Sequence, residues 1–379
     1  MPLAPRSIEG LDEVASPALV FDRDAIDANI ARMLEIAGGR PERLRPHLKT
    51  HKCAEILRLL LEAGVTDAKA ATIAEAELAA RAGCREVLLS YPLVGPNVGR
   101  FRQLRERYPE TRFAALVDCE ETLPALVASA SAETPLPLFI DLDSGMHRTG
   151  IEPGEAALSL VRALVSTPGL EFAGVHAYDG HVHAPSPEDR RRDFDEAMVK
   201  TEAFLATLEA AGIVVPMVVS GGSPTFAFHA AKAAAASTPE RPWQASPGTT
   251  LLWDAGYGTN VAELGFTPAA LLLTRVVSHP GADRLCLDLG HKAVAGENPI
   301  DRRVRFPEMP EAEFLSQSEE HLVVRVPDRG RYPVGTALIG IPWHVCPTVA
   351  LHQRARLVEG GRVTPATWEI LARDRVLTV

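Results

Sequence analysis

The sequence predicts a (β/α)8 TIM-like barrel joined to a C-terminal all-β domain. Three observations carry this. Short apolar runs alternate with helical segments from about residue 25 to 255, the pattern of βαβ units on a parallel sheet. The runs, such as Leu136-Pro137-Leu138-Phe139-Ile140-Asp141, show no polar alternation, as expected of strands buried on both faces. About eight such units in roughly 230 residues suit a barrel of ~250 residues. A doubly wound open sheet is the rival, but no Gly-x-Gly-x-x-Gly follows the first apolar run. The expected division is therefore a barrel over 25–255 and a β-strand domain made of 1–24 with 256–379.

The elements follow in order. Pro17 to Phe21 reads as a strand that joins the β domain. Asp22 or Asp24 caps a helix reaching Gly38, with Ile26, Ile30, Met33, Leu34 and Ile36 in near-helical spacing. The stretch Arg45 to Lys52 is read as a buried strand end, and a helix from Cys53 to Ala63 stops at Gly64. Strands are then expected at 67–72, 86–90, 111–118, 136–141, 170–176 and 214–220. The helices between and after them are expected at 73–82, 100–108, 121–130, 154–166, 189–211 and 226–236. Beyond Gly248, short runs at 271–277, 284–289, 321–326 and 336–341 lie between Gly/Pro/Asp turns, and helical periodicity nearly vanishes.

Bulk properties narrow the function. The 379 residues are 46% apolar and 23% charged, ordinary for a soluble globular chain. A net charge of −10 argues against binding nucleic acid or an anionic membrane, which need basic surface. Five scattered cysteines suit the reduced thiols of a cytoplasm better than a disulfide framework. Met1 to Val14 carries Arg6, Glu9, Asp12 and Glu13 and lacks the apolar core of a signal peptide. No apolar run approaches the ~20 residues of a membrane span. The expectation is a cytoplasmic protein.

Chemistry in such a barrel sits where strands end. Arg45-Pro46-His47-Leu48-Lys49-Thr50-His51-Lys52 gathers two histidines and two lysines. In an extended chain His47, Lys49 and His51 share a face. A buried lysine has a lowered pKa and can form a Schiff base with a carbonyl cofactor such as pyridoxal phosphate; the alternative is a solvated loop. Ser220-Gly221-Gly222-Ser223-Pro224-Thr225, between a strand and a helix, reads as a phosphate cradle or as a capped glycine turn. Arg148, beyond the strand ending at Asp141, can pair with a phenolate or carboxylate or with a surface acid. In Tyr178-Asp179-Gly180-His181-Val182-His183, Tyr178 can contact a ring, and His181 or His183 can act as a base. Finally, His344 and Cys346, two apart on an expected strand, can bind one divalent ion; the alternative is a buried thiol beside a hydrogen-bonded imidazole.

Taken in order, Ser16-Pro17-Ala18-Leu19-Val20, the Arg45–Lys52 motif, Tyr178-Asp179-Gly180-His181, Ser220–Thr225 and His344-Val345-Cys346-Pro347 resemble the fold-type III pyridoxal-phosphate enzymes. These have an alanine-racemase-like N-terminal barrel, and the nearest branch is the D-threonine aldolase and D-serine dehydratase family. The resemblance implies that Lys49 is the Schiff-base lysine, that Arg148 contacts the cofactor's phenolic oxygen and that Tyr178 lies near the cofactor. Ser220, Gly221, Gly222 and Thr225 would hold the phosphate. His344 and Cys346 would bind a divalent metal, Zn2+ or Mn2+, that grips the β-hydroxyl of a D-amino acid.

It further implies a homodimer acting on small β-hydroxy-D-amino acids. Retro-aldol cleavage of D-threonine stands first, and dehydration of D-serine or 3-hydroxyaspartate is the alternative. Family aldolases commonly carry His-x-Asp at the metal pair and the dehydratases His-x-Cys, so Cys346 departs from the aldolase pattern, whereas Pro347-Thr348-Val349 leans toward it. A non-catalytic cofactor carrier would lack the β domain. A racemase would need a second-face tyrosine, for which Tyr257 is the candidate.

Overall fold

The computed structural model describes residues 7–128, 130 and 134–379. Residues 1–6, within the stretch read as lacking a leader's apolar core, and Ser129, within the expected helix 121–130, lie outside the described residues. The chain forms two units. One takes the chain up to Arg32, Thr50–Cys53 and Thr249–Arg373; the other takes Met33–Lys49, Ala54–Gly248 and Asp374–Val379.

Strand β1 (Ala18–Asp22) and helix α1 (Arg23–Ile36) come first. The repeating part runs α2 (Ala54–Glu62), β2 (Asp67–Ala70), α3 (Ile73–Ala82), β3 (Glu86–Pro92), α4 (Pro96–Arg107), β4 (Arg112–Val117) and α5 (Leu123–Val127). It continues with β5 (Leu136–Leu142), α6 (Glu155–Ser166), β6 (Leu170–Ala177), α7 (Pro187–Ala210), β7 (Val218–Ser220), α8 (Phe226–Ala236) and β8 (Trp243–Ala245). Strands β2 to β8 form a parallel seven-stranded sheet in sequential order. Residues 44–47 stand in the eighth place: Leu44 bridges Ala245 of β8 and His47 bridges Lys69 of β2. The circuit thus closes through two single bridges rather than a full strand.

The reason corrects the expected strand end at Arg45–Lys52. Pro46 has no N–H to extend a ladder, and Leu48–Thr50 winds into a 3-10 turn, so the expected alternation of His47, Lys49 and His51 is lost. Pro216 acts likewise in the expected strand 214–220, which shortens to β7. Inside the sheet, Leu88, Ala114, Leu116, Phe139, Ala173 and Val219 form an apolar layer. The amino ends are plugged by the fully buried Arg45, whose guanidinium bonds Glu86 at 2.7 Å and Gln244 at 2.6 Å. Burying that cation is tolerable only because it is paired and hydrogen-bonded.

The other unit adds α9 (Ala255–Asn260), β9 (Ala270–Ser278), β10 (Arg284–Leu287), β11 (Val304–Arg305), β12 (Glu313–Gln317), β13 (Leu322–Arg325), β14 (Ala337–Pro342), α10 (Val345–Leu351), β15 (Arg354–Glu359) and β16 (Arg362–Glu369). Its sheet runs β12-β13-β10-β9-β1-β15-β16, with β14 pairing β9 and β11. β1 lies antiparallel to β9 and parallel to β15, so the first strand belongs to this sheet. Val20, Leu271, Leu273, Ile339, Ile341 and Val358 form its core. Cys346 sits in α10, not on a strand, and His344 is that helix's N-cap. Among the described residues no helix is long and apolar enough to cross a membrane.

Candidate active site

The carboxyl ends of β2, β3, β5 and β6 open into a cavity of about 520 Å3 lined by Lys49, Lys69, Asp141, Arg148, His176 and Tyr178, among others. Tyr178 follows β6 directly, and three cations surround its ring. Arg148 lies 5.2 Å from the ring centroid, Lys69 5.7 Å and Lys49 5.8 Å. Each gains from the negative face of the ring, and together they favour an anionic occupant. His47 anchors the turn that carries the first lysine: its Nδ1 accepts from the Lys49 N–H at 3.3 Å and its Nε2 meets Ser90 Oγ at 3.2 Å.

Lys69 was given no role by the sequence reading, although it stands alone between alanines on the wholly buried β2. Its Nζ lies 3.4 Å from His176 Nε2, and His176 Nδ1 bonds Asp141 Oδ1 at 2.7 Å. Thr149 donates to the other Asp141 oxygen at 3.0 Å. Burial, then the neighbouring Lys49 charge, bring the Lys69 amine down to about 7. The chain Asp141–His176–Lys69 can therefore hold or release a proton inside the cavity near neutral pH.

The Ser220–Thr225 loop joins β7 to α8, as expected. The Ser220 hydroxyl, however, faces inward: His229 Nδ1 meets it at 2.9 Å and Trp243 Nε1 donates to it at 2.7 Å. His229 Nε2 in turn bonds Asp179 Oδ2 at 2.7 Å. Burial pushes the Asp179 carboxyl up, but the His229 charge and hydrogen bonds outweigh it and hold the group below its usual range. Gly221 has φ +89°, and a Cβ there would lie 2.2 Å from the His229 ring; at Gly222 it would lie 3.1 Å from Tyr178. Only glycines let this backbone lie so close to both rings, ahead of the N–H groups that open the 11-residue α8. Those groups suit a phosphate.

The remaining expected groups are not among the residues that line this cavity. His181 packs against Gly145, where a Cβ would come within 2.8 Å of its Nε2. His183 is exposed, and its Nδ1 meets the His181 carbonyl at 2.6 Å. His51 is buried in the β unit, where its Nδ1 accepts from the Cys53 N–H at 3.2 Å and desolvation takes its pKa down to about 3. Tyr257 packs at a 30° tilt against Trp253, with ring centroids 5.3 Å apart.

In the β unit His344 and Cys346 are in hydrogen-bond contact despite the change from strand to helix start. Desolvation lowers the His344 pKa, but the contact and charge of Cys346, with Glu297, prevail and raise it to about 9. Glu297 Oε1 takes the His344 Nδ1 at 2.7 Å, the outer-shell arrangement that leaves Nε2 for a metal. Imidazole and thiolate together suit a borderline-soft ion such as Zn2+. Among the described residues no cluster of three or more ligating side chains forms; two protein donors leave positions for water or substrate.

Comparisons with known proteins agree with this architecture. Residues 21–242 match the family described as "Alanine racemase, N-terminal domain", and residues 269–358 match the "Putative serine dehydratase domain". The chain is 29% identical to the D-threonine aldolase of Arthrobacter sp over 368 residues, covering 96% of this chain and 94% of that one. It is 26% identical to the D-threo-3-hydroxyaspartate dehydratase of Delftia sp. over 381 residues, covering 94% and 97%. The crystal structure of D-threonine aldolase from Filomicrobium marinum superimposes with a TM-score of 0.86 at 28% identity, covering 98% of this chain and 99% of that one.

Proposed function

The chain belongs to the alanine racemase N-terminal domain family, and on that premise we propose that this pyridoxal-phosphate-dependent lyase, with a divalent metal, cleaves D-threonine and related β-hydroxy-D-amino acids to glycine and an aldehyde. The observation that carries the reading is the convergence of Lys49, Lys69 and Arg148 on the Tyr178 ring inside one cavity. An amine for the cofactor's aldehyde and cations for its anionic groups are thereby held in one place.

In this reading Lys49 holds the cofactor, the backbone of Gly221 and Gly222 with Thr225 receives its phosphate, and Arg148 faces its phenolic oxygen. When bound, the cofactor supplies an electron sink for the pair left on Cα. His344 and Cys346 would hold the metal, whose charge lowers the pKa of the β-hydroxyl. The chain's own task is then proton traffic. A base, His181 or His183, takes the β-hydroxyl proton as the Cα–Cβ bond breaks, and an acid returns a proton to Cα to give glycine. Lys69, brought to about 7 by burial and the Lys49 charge and bonded to His176, lines the cavity and can store such a proton.

Dehydration is the second reading, favoured by Cys346 in the metal pair and by the serine dehydratase match. There Lys49 removes the α-proton and the β-hydroxyl leaves, yielding a 2-oxoacid and ammonia after hydrolysis. Incubating the protein, cofactor and Zn2+ or Mn2+ with D-threonine and D-serine separates the two. Glycine with acetaldehyde supports cleavage; 2-oxoacid with ammonia supports dehydration; turnover of neither substrate overturns both for these substrates. The same reading takes the protein as a homodimer, which a monomer in sedimentation at working concentration would contradict.

A further inference from the structure

Thr50 follows Lys49 in the chain and is 1% exposed. Its Oγ1 lies 3.1 Å from Cys346 Sγ, and Thr249 Oγ1 reaches the same sulfur at 3.8 Å. The rest of the pair is also tied from outside. Glu297 holds the His344 ring, Thr348 Oγ1 donates to the His344 carbonyl at 2.8 Å, and the Val345 N–H between the two side chains donates to Asp254 at 3.1 Å. The His344 ring, the His344 carbonyl and the Val345 N–H each have a polar partner, and a buried hydroxyl, Thr50 Oγ1, lies within hydrogen-bond reach of the thiol.

We propose that Thr50 is a positioning residue for a divalent metal held by His344 and Cys346, its hydroxyl donating to the Cys346 thiolate. The inference rests on the metal reading above. A thiolate is acceptor only, so once the sulfur is deprotonated by a metal the Thr50 hydroxyl must be the donor. That bond offsets the desolvation of a partly buried negative sulfur and fixes its direction. Loss of an outer-shell partner of this kind weakens metal binding by about 10- to 100-fold.

The test is competition for Zn2+ between the cofactor-loaded protein and a chromophoric chelator at neutral pH. Thr50→Val keeps the shape and removes the hydroxyl, and Thr50→Ser restores it. We expect about 10- to 100-fold weaker Zn2+ binding for the valine variant and recovery of most of it in the serine variant. In the Co2+-substituted protein, the sulfur-to-metal charge-transfer band should move in Thr50→Val and return in Thr50→Ser. Cofactor absorbance should be the same in all three proteins, which shows that each is folded. Wild-type affinity in the valine variant, or equal weakening in both variants, overturns the proposal. Failure of the wild-type protein to bind Zn2+ overturns the metal reading beneath it as well, and so tells the two failures apart.

Discussion

Lys69 Nζ stands 3.4 Å from His176 Nε2, and the opposite nitrogen of that imidazole bonds Asp141 at 2.7 Å. The amine lies 5.7 Å from the Tyr178 ring centroid and shares the cavity with Lys49 and Arg148, and the charges of Lys49, Asp141, Asp179 and Arg45 act on it. Burial, followed by the Lys49 charge, lowers its pKa from 10.5 to about 7. Between those two values the unfolded chain binds more protons than the folded one, so stability rises with pH through the window; below about pH 7 the folded protein carries the full penalty of a buried charge. Lys69→Met should therefore help stability most at pH 6, with the advantage shrinking toward pH 10 by up to about 1.4 kcal/mol per pH unit. Urea unfolding at pH 6, 8 and 10 measures this; a pH-independent difference would contradict it.

His229 links two buried groups, Asp179 and Ser220. His229→Ala leaves the Asp179 carboxylate without its imidazole partner, and losing a hydrogen bond to a charged group costs about 1.5–3 kcal/mol. Urea titration at pH 7 should show a loss of that order, whereas a loss under about 1 kcal/mol, the scale of an exposed pair, would mean that the link matters little.

Gly221 and Gly212 both have positive φ, +89° and +71°, but only at Gly221 would a Cβ collide with a side chain, the His229 ring. Gly212→Ala should cost only the backbone term of about 1–2 kcal/mol. Gly221→Ala should in addition displace His229 and loosen the cradle. Equilibrium titration with pyridoxal 5'-phosphate is expected to show at least about tenfold weaker binding, a difference of ~1.4 kcal/mol, for Gly221→Ala and no change for Gly212→Ala.

Metal removal separates the lyase reading from a racemase or carrier. Dialysis against a chelator should abolish turnover of D-threonine while the cofactor's absorbance persists, and Zn2+ or Mn2+ should restore the activity. Turnover that survives complete metal removal would contradict a role for His344 and Cys346.

Much of this was legible in the chain because the informative signals are local. The alternation of strand and helix, Gly64 as a helix stop, and the loop from Ser220 to Thr225 all lie where the pattern places them. The double glycine at 360–361 is a local hairpin signal of the same kind, and it forms the turn between β15 and β16. Other features depend on partners distant in sequence. Nothing in Asp67–Ala70 tells which way Lys69 points until the circuit closes on His176, 107 residues later. Thr50 gains meaning only from Cys346, 296 residues away. The strand reading at Lys49 failed on Pro46, and the one at His344 failed because the chain starts a helix there. His344 and Cys346 still meet, since an N-cap and the second residue of its helix remain neighbours.

The most direct test of the whole account is to reduce the cofactor-loaded protein with borohydride and map the modified peptide. The account predicts a phosphopyridoxyl group on Lys49, and none anywhere in Lys49→Ala. Label on Lys69 of the wild-type protein, or undiminished label in Lys49→Ala, would contradict it.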